Sequence, residues 1–327
     1  MKAIISTNYG GPEILQMQEV SIPTPKKNEV LVKIHAASVS KADAMMRTGK
    51  PYFGRLFMGL TKPKNPIAGT GFAGVVEALG DDVKLFKIGD KIFGENITTF
   101  GTHAEFVCVA EDGVIAKMPS NMTYQEAAPI CDGALTSINF LKNLGEIKPG
   151  QKVLINGASG SLGTAAVQIA KHYGAEVTGV CSTRNVDFVK SLGADRVIDY
   201  TKQDFTENSN TYDIIYDTVG MCSFSECKDA LTENGAYISP VLGMPLLRNA
   251  IFTSMFGKKK AKFSATGILP VSELKKLLQE VIEIIEAGAL RTIVEREYAL
   301  EETAEAHTYI DKGHKKGSVV ITPSLEK

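Results

Sequence analysis

The chain has 327 residues, of which 44% are hydrophobic and 22% charged, and its formal net charge is −1. This length admits two domains of ordinary globular composition, and near-neutrality gives no general attraction for nucleic acid or an anionic membrane. The cysteines at 108, 131, 181, 222 and 227 form no C-x-x-C pair, which argues against a zinc ribbon or disulfide framework and for a reducing compartment.

The start, MKAIISTNYGG, does not read as a signal peptide. No apolar run approaches the roughly 20 residues that span a bilayer, so a soluble, cytoplasmic protein is expected. Short strands broken by Gly, Pro and Asn fill the first part of the chain, at 2–6, 30–36, 74–79, 91–93 and 104–109. A helix or loop is expected over 40–49. The pattern changes at Thr123, where T-x-x-E to Glu126 is a capping box. A further helix is expected over 136–144, ended by Lys148-Pro149-Gly150.

The stretch KVLINGASGSLGTAAVQIAKHY, from Lys152 to Tyr173, then reads as strand, glycine turn, helix. Its best register against G-x-G-x-x-G is Ala158-x-Gly160-x-x-Gly163, with alanine in the first glycine's place. Backbone N–H groups at such a helix start suit a dinucleotide pyrophosphate. Gly160 would let the phosphates approach, and Gly163 would let helix and strand pack closely. Further strands at 176–181, 196–199, 213–216, 236–239 and 262–265 predict a doubly wound α/β parallel sheet. The apolar stretch 241–256 reads as a packed helix or interface, and 272–287 as an amphipathic helix. Strand, helix and strand at 292–298, 301–310 and 318–321 suggest a return to the first domain.

The chain resembles the medium-chain dehydrogenase/reductase superfamily in its zinc-independent quinone oxidoreductase and alkenal/enone oxidoreductase branch. The resemblance rests on Asp43 in VSKADAMMRTG, GTGFAGVV from Gly69, Gly89-Asp90, GTHAEF from Gly101, Glu126 to Ala128, the Ala158 to Gly163 turn, DTVG from Asp217, and Lys316-Gly317. It implies a discontinuous, β-rich GroES-like catalytic domain over 1–123 and 268–327, a Rossmann NADP(H)-binding domain over 124–267, and homodimers formed through the Rossmann sheets. The family's catalytic zinc ligands fall on Ser40, Thr70 and Gly71, with Asp132 near a third ligand position. No metal is therefore expected.

At the end of the second Rossmann strand, GVCSTRN carries no acid for a ribose 2′-hydroxyl. Arg184 can pair with a 2′-phosphate, Ser182 and Thr183 are neutral donors, and Tyr200 supports the adenosine phosphate. The resemblance also implies that Thr136 lies near the nicotinamide amide and that Val219, Leu242, Gly243, Met244, Thr266 and Gly267 flank the cofactor. Together with Ala158, Ser159, Gly160, Ser161, Leu162 and Gly163, these form the expected cofactor site.

Tyr52 is the candidate donor to a substrate carbonyl. Ser40 is the second catalytic candidate, at a position where relatives carry Asn, and Asp43 braces the loop. The five histidines show no metal or nucleophile spacing and read as structural or solvated. The expected activity is NADPH-dependent hydride reduction of quinones or of the activated C=C bond of enones and enals. An enoyl-thioester reductase and a non-catalytic NADPH-binding regulatory or structural protein are the alternatives.

Overall fold

The computed structural model describes residues 1–323, apart from the side chains of Phe53 and Phe57. β-Branched residues and tight turns set the early chain, which runs β1 (Lys2–Ile5), β2 (Gln16–Glu19), β3 (Glu29–Val39), α1 (Lys41–Thr48), α2 (Arg55–Met58), β4 (Gly71–Leu79), β5 (Lys91–Glu95), β6 (Phe106–Ala110), β7 (Val114–Lys117) and α3 (Tyr124–Ala127). Alternation of strand and helix follows, with α4 (Thr136–Ile138), β8 (Lys152–Asn156), α5 (Ser161–His172), β9 (Glu176–Cys181), α6 (Val186–Ser191), β10 (Arg196–Asp199), β11 (Tyr212–Asp217), α7 (Phe224–Cys227), β12 (Leu231–Ser239), α8 (Met244–Met255) and β13 (Lys260–Phe263). The chain closes with α9 (Val271–Glu286), β14 (Val294–Ala299), α10 (Thr303–Asp311) and β15 (Ser318–Thr322).

Two compact units result. One comprises Met1–Asp132, Val271–Gln279 and Thr292–Lys327, and the other Gly133–Pro270 and Glu280–Arg291.

In the first unit, seven strands form a sheet ordered β14-β15-β3-β4-β5-β7, with β6 also paired to β3. The late strand β15 inserts antiparallel beside β3, matching Val319 with Val39. Val30, Val32, Ile34, Phe72, Ile92, Val319 and Ile321 are buried in one core that also takes Leu300, Ala306 and Ile310 from the returning segment. β2 and β7 are strands that the sequence pattern did not single out. All four residues of β2 are exposed, so it carries no buried face to give a hydrophobic period.

The second unit is a six-stranded sheet, β10-β9-β8-β11-β12-β13, parallel throughout. This is the expected doubly wound sheet. Strand order reverses between β8 and β11, and such a reversal opens a crevice at the carboxyl ends of the strands. The helix expected over 136–144 differs in detail. Only α4 is α-helical, and wider π turns flank it at Cys131–Leu135 and Asn139–Leu144. Such turns concentrate at functional sites. Among the described residues no helix is long and apolar enough to cross a membrane.

Candidate functional site

The crevice between β8 and β11 is built by two loops that lock together. At the end of β8, Gly157 has φ +80, and a Cβ on it would lie 2.3 Å from Val219 Cγ2. Gly157 is therefore the residue that makes the left-handed turn. This explains the alanine at 158: the special backbone geometry sits one residue earlier. Ala158 is fully buried and its N–H donates to Val180 O at 3.0 Å.

Gly163 is required for another reason. A Cβ there would meet Gly157 O at 2.1 Å and Ala158 Cα at 2.7 Å, so helix α5 could not approach the turn. Gly160 is unlike both: its nearest atom to a built Cβ is Gly157 O at 3.5 Å, an ordinary contact. Packing does not demand glycine at 160, and the space above it is open to a ligand. Gly160 is also the N-cap of α5, with no side-chain cap and no acidic residue in the first turn. The start of α5 thus presents the positive end of the helix dipole, where an anion is favoured, with no capping side chain on Gly160.

The opposite loop, 217–222, is organised by Asp217, whose side chain is fully buried. Its Oδ1 accepts hydrogen bonds from Asn156 Nδ2, Val219 N and Gly220 N, and its Oδ2 from Cys222 N and the Tyr237 hydroxyl. Thr218 donates through both N and Oγ1 to Asn156 O. These bonds hold half-exposed Val219 over the glycine turn. Gly220 in turn lies against Val241, which brings the loop holding Leu242, Gly243 and Met244 alongside. Thr266 is buried and accepts from Asn139 Nδ2 at 3.0 Å, whereas Gly267 next to it borders open space. Thr136 opens α4 between the two π turns, and Ser137 beside it donates to Leu162 O at 2.9 Å.

At the end of β9, Asn185 Nδ2 donates to Ser159 Oγ at 3.1 Å and to Ser182 Oγ at 3.4 Å, tying the strand end to the glycine turn. Arg184 and Tyr200 lie exposed nearby in the chain. Thr183 requires a correction as a neutral donor. Its hydroxyl donates to Asp199 Oδ2 at 2.6 Å, so that proton is already engaged. That hydrogen bond, with others from Thr201 and Lys202, holds the Asp199 carboxyl down to about 2. Lys202 Nζ lies 3.4 Å from the same carboxylate. Asp199, Asn185 and Asp217 are polar residues of this site that no motif had marked for these roles.

The β-rich unit contains a second polar cluster. Ser40 caps α1: its Oγ accepts from Asp43 N and donates to Asp43 Oδ2, while Ser40 N donates to the same carboxylate. Ser40 is thus a buried, fully engaged helix cap. Thr70 Oγ1 donates to Asp43 Oδ1 at 3.3 Å. Beyond Thr70 stands Glu95, whose carboxyl is pushed up to about 8, first by burial and then by the neighbouring acids Asp132 and Asp43. Burial lowers the Lys315 amine despite the acids around it, Asp132, Glu295 and Asp43. Tyr52 is 66% exposed, and the Arg55 guanidinium lies 4.9 Å from its ring centroid.

A catalytic zinc does not fit the positions aligned with its ligands. Ser40 is a helix cap and Thr70 is bonded to Asp43. Gly71 has no room for a glutamate, since a Cβ there would lie 2.4 Å from Ser38 Oγ and 2.8 Å from Ala128 O. Among the described residues no group of three His, Cys, Asp or Glu is arranged to hold a metal ion.

Comparison with known proteins agrees with this architecture. A family described as alcohol dehydrogenase GroES-like domain matches residues 26–120, and one described as zinc-binding dehydrogenase matches residues 192–321. The chloroplast envelope quinone oxidoreductase homolog of Arabidopsis thaliana is 32% identical over 99% of this chain and 98% of its own length. The NADPH-dependent alkenal/one oxidoreductase of the same organism is 30% identical, covering 99% of this chain and 80% of its own. The crystal structure of Escherichia coli quinone oxidoreductase complexed with NADPH superposes with a TM-score of 0.84 at 25% identity, covering 99% of this chain and 100% of that one. With a glycine turn at a topological switch point, a GroES-like partner unit and relatives matched over nearly the full length, the chain belongs to the medium-chain dehydrogenase/reductase superfamily, alongside its quinone and alkenal/one oxidoreductases.

Proposed function

We propose that the protein is an NADPH-dependent, zinc-independent oxidoreductase that reduces quinones or the activated C=C bond of enones and enals. The observation that carries this reading is the uncapped start of α5, open above Gly160, beside a β9 end that offers Arg184 and no free acid. The pyrophosphate lies at the helix start formed by Gly160, Ser161, Leu162 and Gly163, with the N–H groups of Leu162 and Gly163 turned to it and Ala158 and Ser159 shaping the turn. Arg184 pairs with the 2′-phosphate, Ser182 lies beside it and Tyr200 supports the adenosine end. Thr183 acts through Asp199, whose charge Lys202 meets. Thr136, Val219, Leu242, Gly243, Met244, Thr266 and Gly267 line the nicotinamide half.

The bound cofactor supplies a hydride to an electron-poor carbon. The protein orients the acceptor and holds the charge that builds on its oxygen. Tyr52 donates a hydrogen bond to that oxygen, while Ser40 positions α1 through Asp43 and does not touch substrate.

NADPH consumption with a panel of small quinones and α,β-unsaturated carbonyls tests the activity, and no turnover with any of them would sink it. Prolonged dialysis against a chelator should leave the rate unchanged, because the zinc positions hold no ligand set. Arg184→Ala should weaken NADPH about tenfold or more, a loss of about 1.4 kcal/mol, and leave NADH nearly unaffected. An unchanged NADPH to NADH ratio would remove Arg184 from the 2′-phosphate site.

We also propose a homodimer through the free edge of β13 and the neighbouring face of α8. That helix leaves Leu247, Ile251, Phe252 and Met255 exposed. Phe252→Glu should convert a dimer to a monomer in sedimentation velocity.

A further inference from the structure

Cys222 and Cys227 are five positions apart and carry none of the spacing that marks a redox motif, yet the fold brings them together. Cys222 Sγ lies 2.6 Å from Cys227 Sγ, and both are free thiols. A disulfide needs about 2.05 Å, so only a short approach separates this contact from a bond. The backbone around the pair is already fixed. Ser223 between them is the N-cap of α7, in a reciprocal capping box with Glu226, and Cys227 N donates to Ser223 O at 3.1 Å. Cys222 is held at both its backbone groups: its N–H donates to Asp217, and its carbonyl lies 2.5 Å from the Tyr237 hydroxyl, whose one proton it shares with Asp217 Oδ2. Cys227 is fully buried in the core beneath β11 and β12, whereas Cys222 is only partly buried. One sulfur is therefore reachable by a soluble oxidant, and the other waits behind it to close the bond.

We infer that Cys222 and Cys227 form a reversible dithiol–disulfide site that tightens the 217–222 loop at the crevice. With a low-molecular-weight disulfide such as oxidised glutathione as oxidant, Cys222 sulfur attacks it, forming a mixed disulfide and releasing one glutathione thiol. Cys227 sulfur then attacks the Cys222 sulfur, forming the internal S–S bond and expelling the second glutathione thiol. Two cysteine thiols are oxidised, one glutathione disulfide is reduced, and the two protons leave with the glutathione products. The bond closes the short segment 222–227, which it restricts in the unfolded chain, and in the folded one it fastens Cys222, the last residue of the loop that carries Val219, to buried Cys227. Neither cofactor nor substrate takes part, and the site is testable on the protein alone.

Trypsin leaves both cysteines in one peptide, residues 203–228, between Lys202 and Lys228. After incubation of the folded full-length protein with oxidised glutathione, trapping with an alkylating reagent and digestion, that peptide should resist alkylation and be lighter than its reduced form by about 2 Da. Dithiothreitol should restore it. The apparent midpoint of thermal unfolding should rise by about 5 °C on oxidation, and amide exchange over 217–222 should slow. Cys222→Ser, a small change at a partly exposed site, should show neither effect, and Cys227→Ala serves as an independent second variant. Cys108→Ser should behave as the unaltered protein. Two alkylated thiols after exposure, or glutathione retained on Cys222 without closure, would overturn the assignment. A disulfide that forms without raising the midpoint or slowing exchange would overturn the tightening of the loop.

Discussion

At the scale of single residues, buried charge governs the most specific consequences. Asp217 accepts five hydrogen bonds with no exposed surface, the one from Tyr237 shared with Cys222 O, so exchanging one carboxylate oxygen for an amide sets a donor against buried donors. Asp217→Asn should cost about 2–4 kcal/mol in urea unfolding and speed amide exchange from Val219 to Cys222. Glu95 works through its proton. Its carboxyl rises from 4.5 in the unfolded chain to about 8 in the fold. The protonated form is the one the fold tolerates, so this contribution is whole below pH 4.5 and is lost as pH climbs toward 8. Glu95→Gln keeps the shape without the charge. Between pH 5 and 8.5 the unaltered protein should lose stability relative to Glu95→Gln by on the order of 4 kcal/mol. Parallel pH profiles for the two proteins would show that Glu95 does not carry the proton. The donor list of this cluster was not legible beforehand, because Glu95, Asp132 and Lys315 are scattered in sequence and meet only when β5 and the returning C-terminal segment fold together.

Among the elements, the β8–α5 turn separates two duties of glycine that a motif lists as one. Gly163 serves packing, since a methyl group there would overlap the backbone of Gly157. Gly163→Ala should lower stability by several kcal/mol, on the order of 3, whether or not ligand is present. Gly160 has no such neighbour, so Gly160→Ala should unfold at the same denaturant concentration as the unaltered protein while losing most of its NADPH affinity, as fluorescence titration would read. If Gly160→Ala bound NADPH normally, the phosphate would not sit where α5 begins. The capping box at Thr123 and Glu126 was legible because both partners lie within one helical turn, and α3 starts there as the pattern requires. The π turns on either side of α4 were not. They arise where buried polar side chains, Ser137 and Asn139, reach carbonyl and hydroxyl partners 25 and 127 positions away, at Leu162 and Thr266.

Across the whole molecule, the β-rich unit is closed by chain ends that meet. Arg47 on α1 is buried and reaches three groups, donating to Gly10 O, to His307 Nδ1 and to Asp311 Oδ2, the last two on α10. With Nδ1 accepting, His307 carries its proton on Nε2 and stays neutral. Burial first, then His103 and Arg47, holds the imidazole down to about 2. Arg47→Met should cost about 3 kcal/mol, because it leaves a partly buried carbonyl and a buried imidazole nitrogen without a donor. A loss below 1 kcal/mol in chemical unfolding would mean that water replaces the guanidinium. The same closure puts β15 in the interior of the sheet, between β14 and β3, so the last forty or so residues complete a core begun by the first forty.

The sequence by itself determined what depends on neighbours in the chain: the strand–turn–helix at Lys152, the parallel α/β alternation after it, the early β-rich segment, and the residue types that exclude a zinc ligand set at 40, 70 and 71. Each follows from local period, backbone freedom or side-chain chemistry, and the fold and family bear out the strand–turn–helix, the parallel alternation and the β-rich segment. Only the tertiary structure decided which polar groups are already engaged and which remain open. Thr183 looks like a spare donor until β10 brings Asp199 beside it, and Cys222 and Cys227 look unrelated until α7 turns one sulfur onto the other. Hydrogen bonds and thiol contacts act over about 3 Å, and distance on that scale is a property of packing, which no pattern along the chain records.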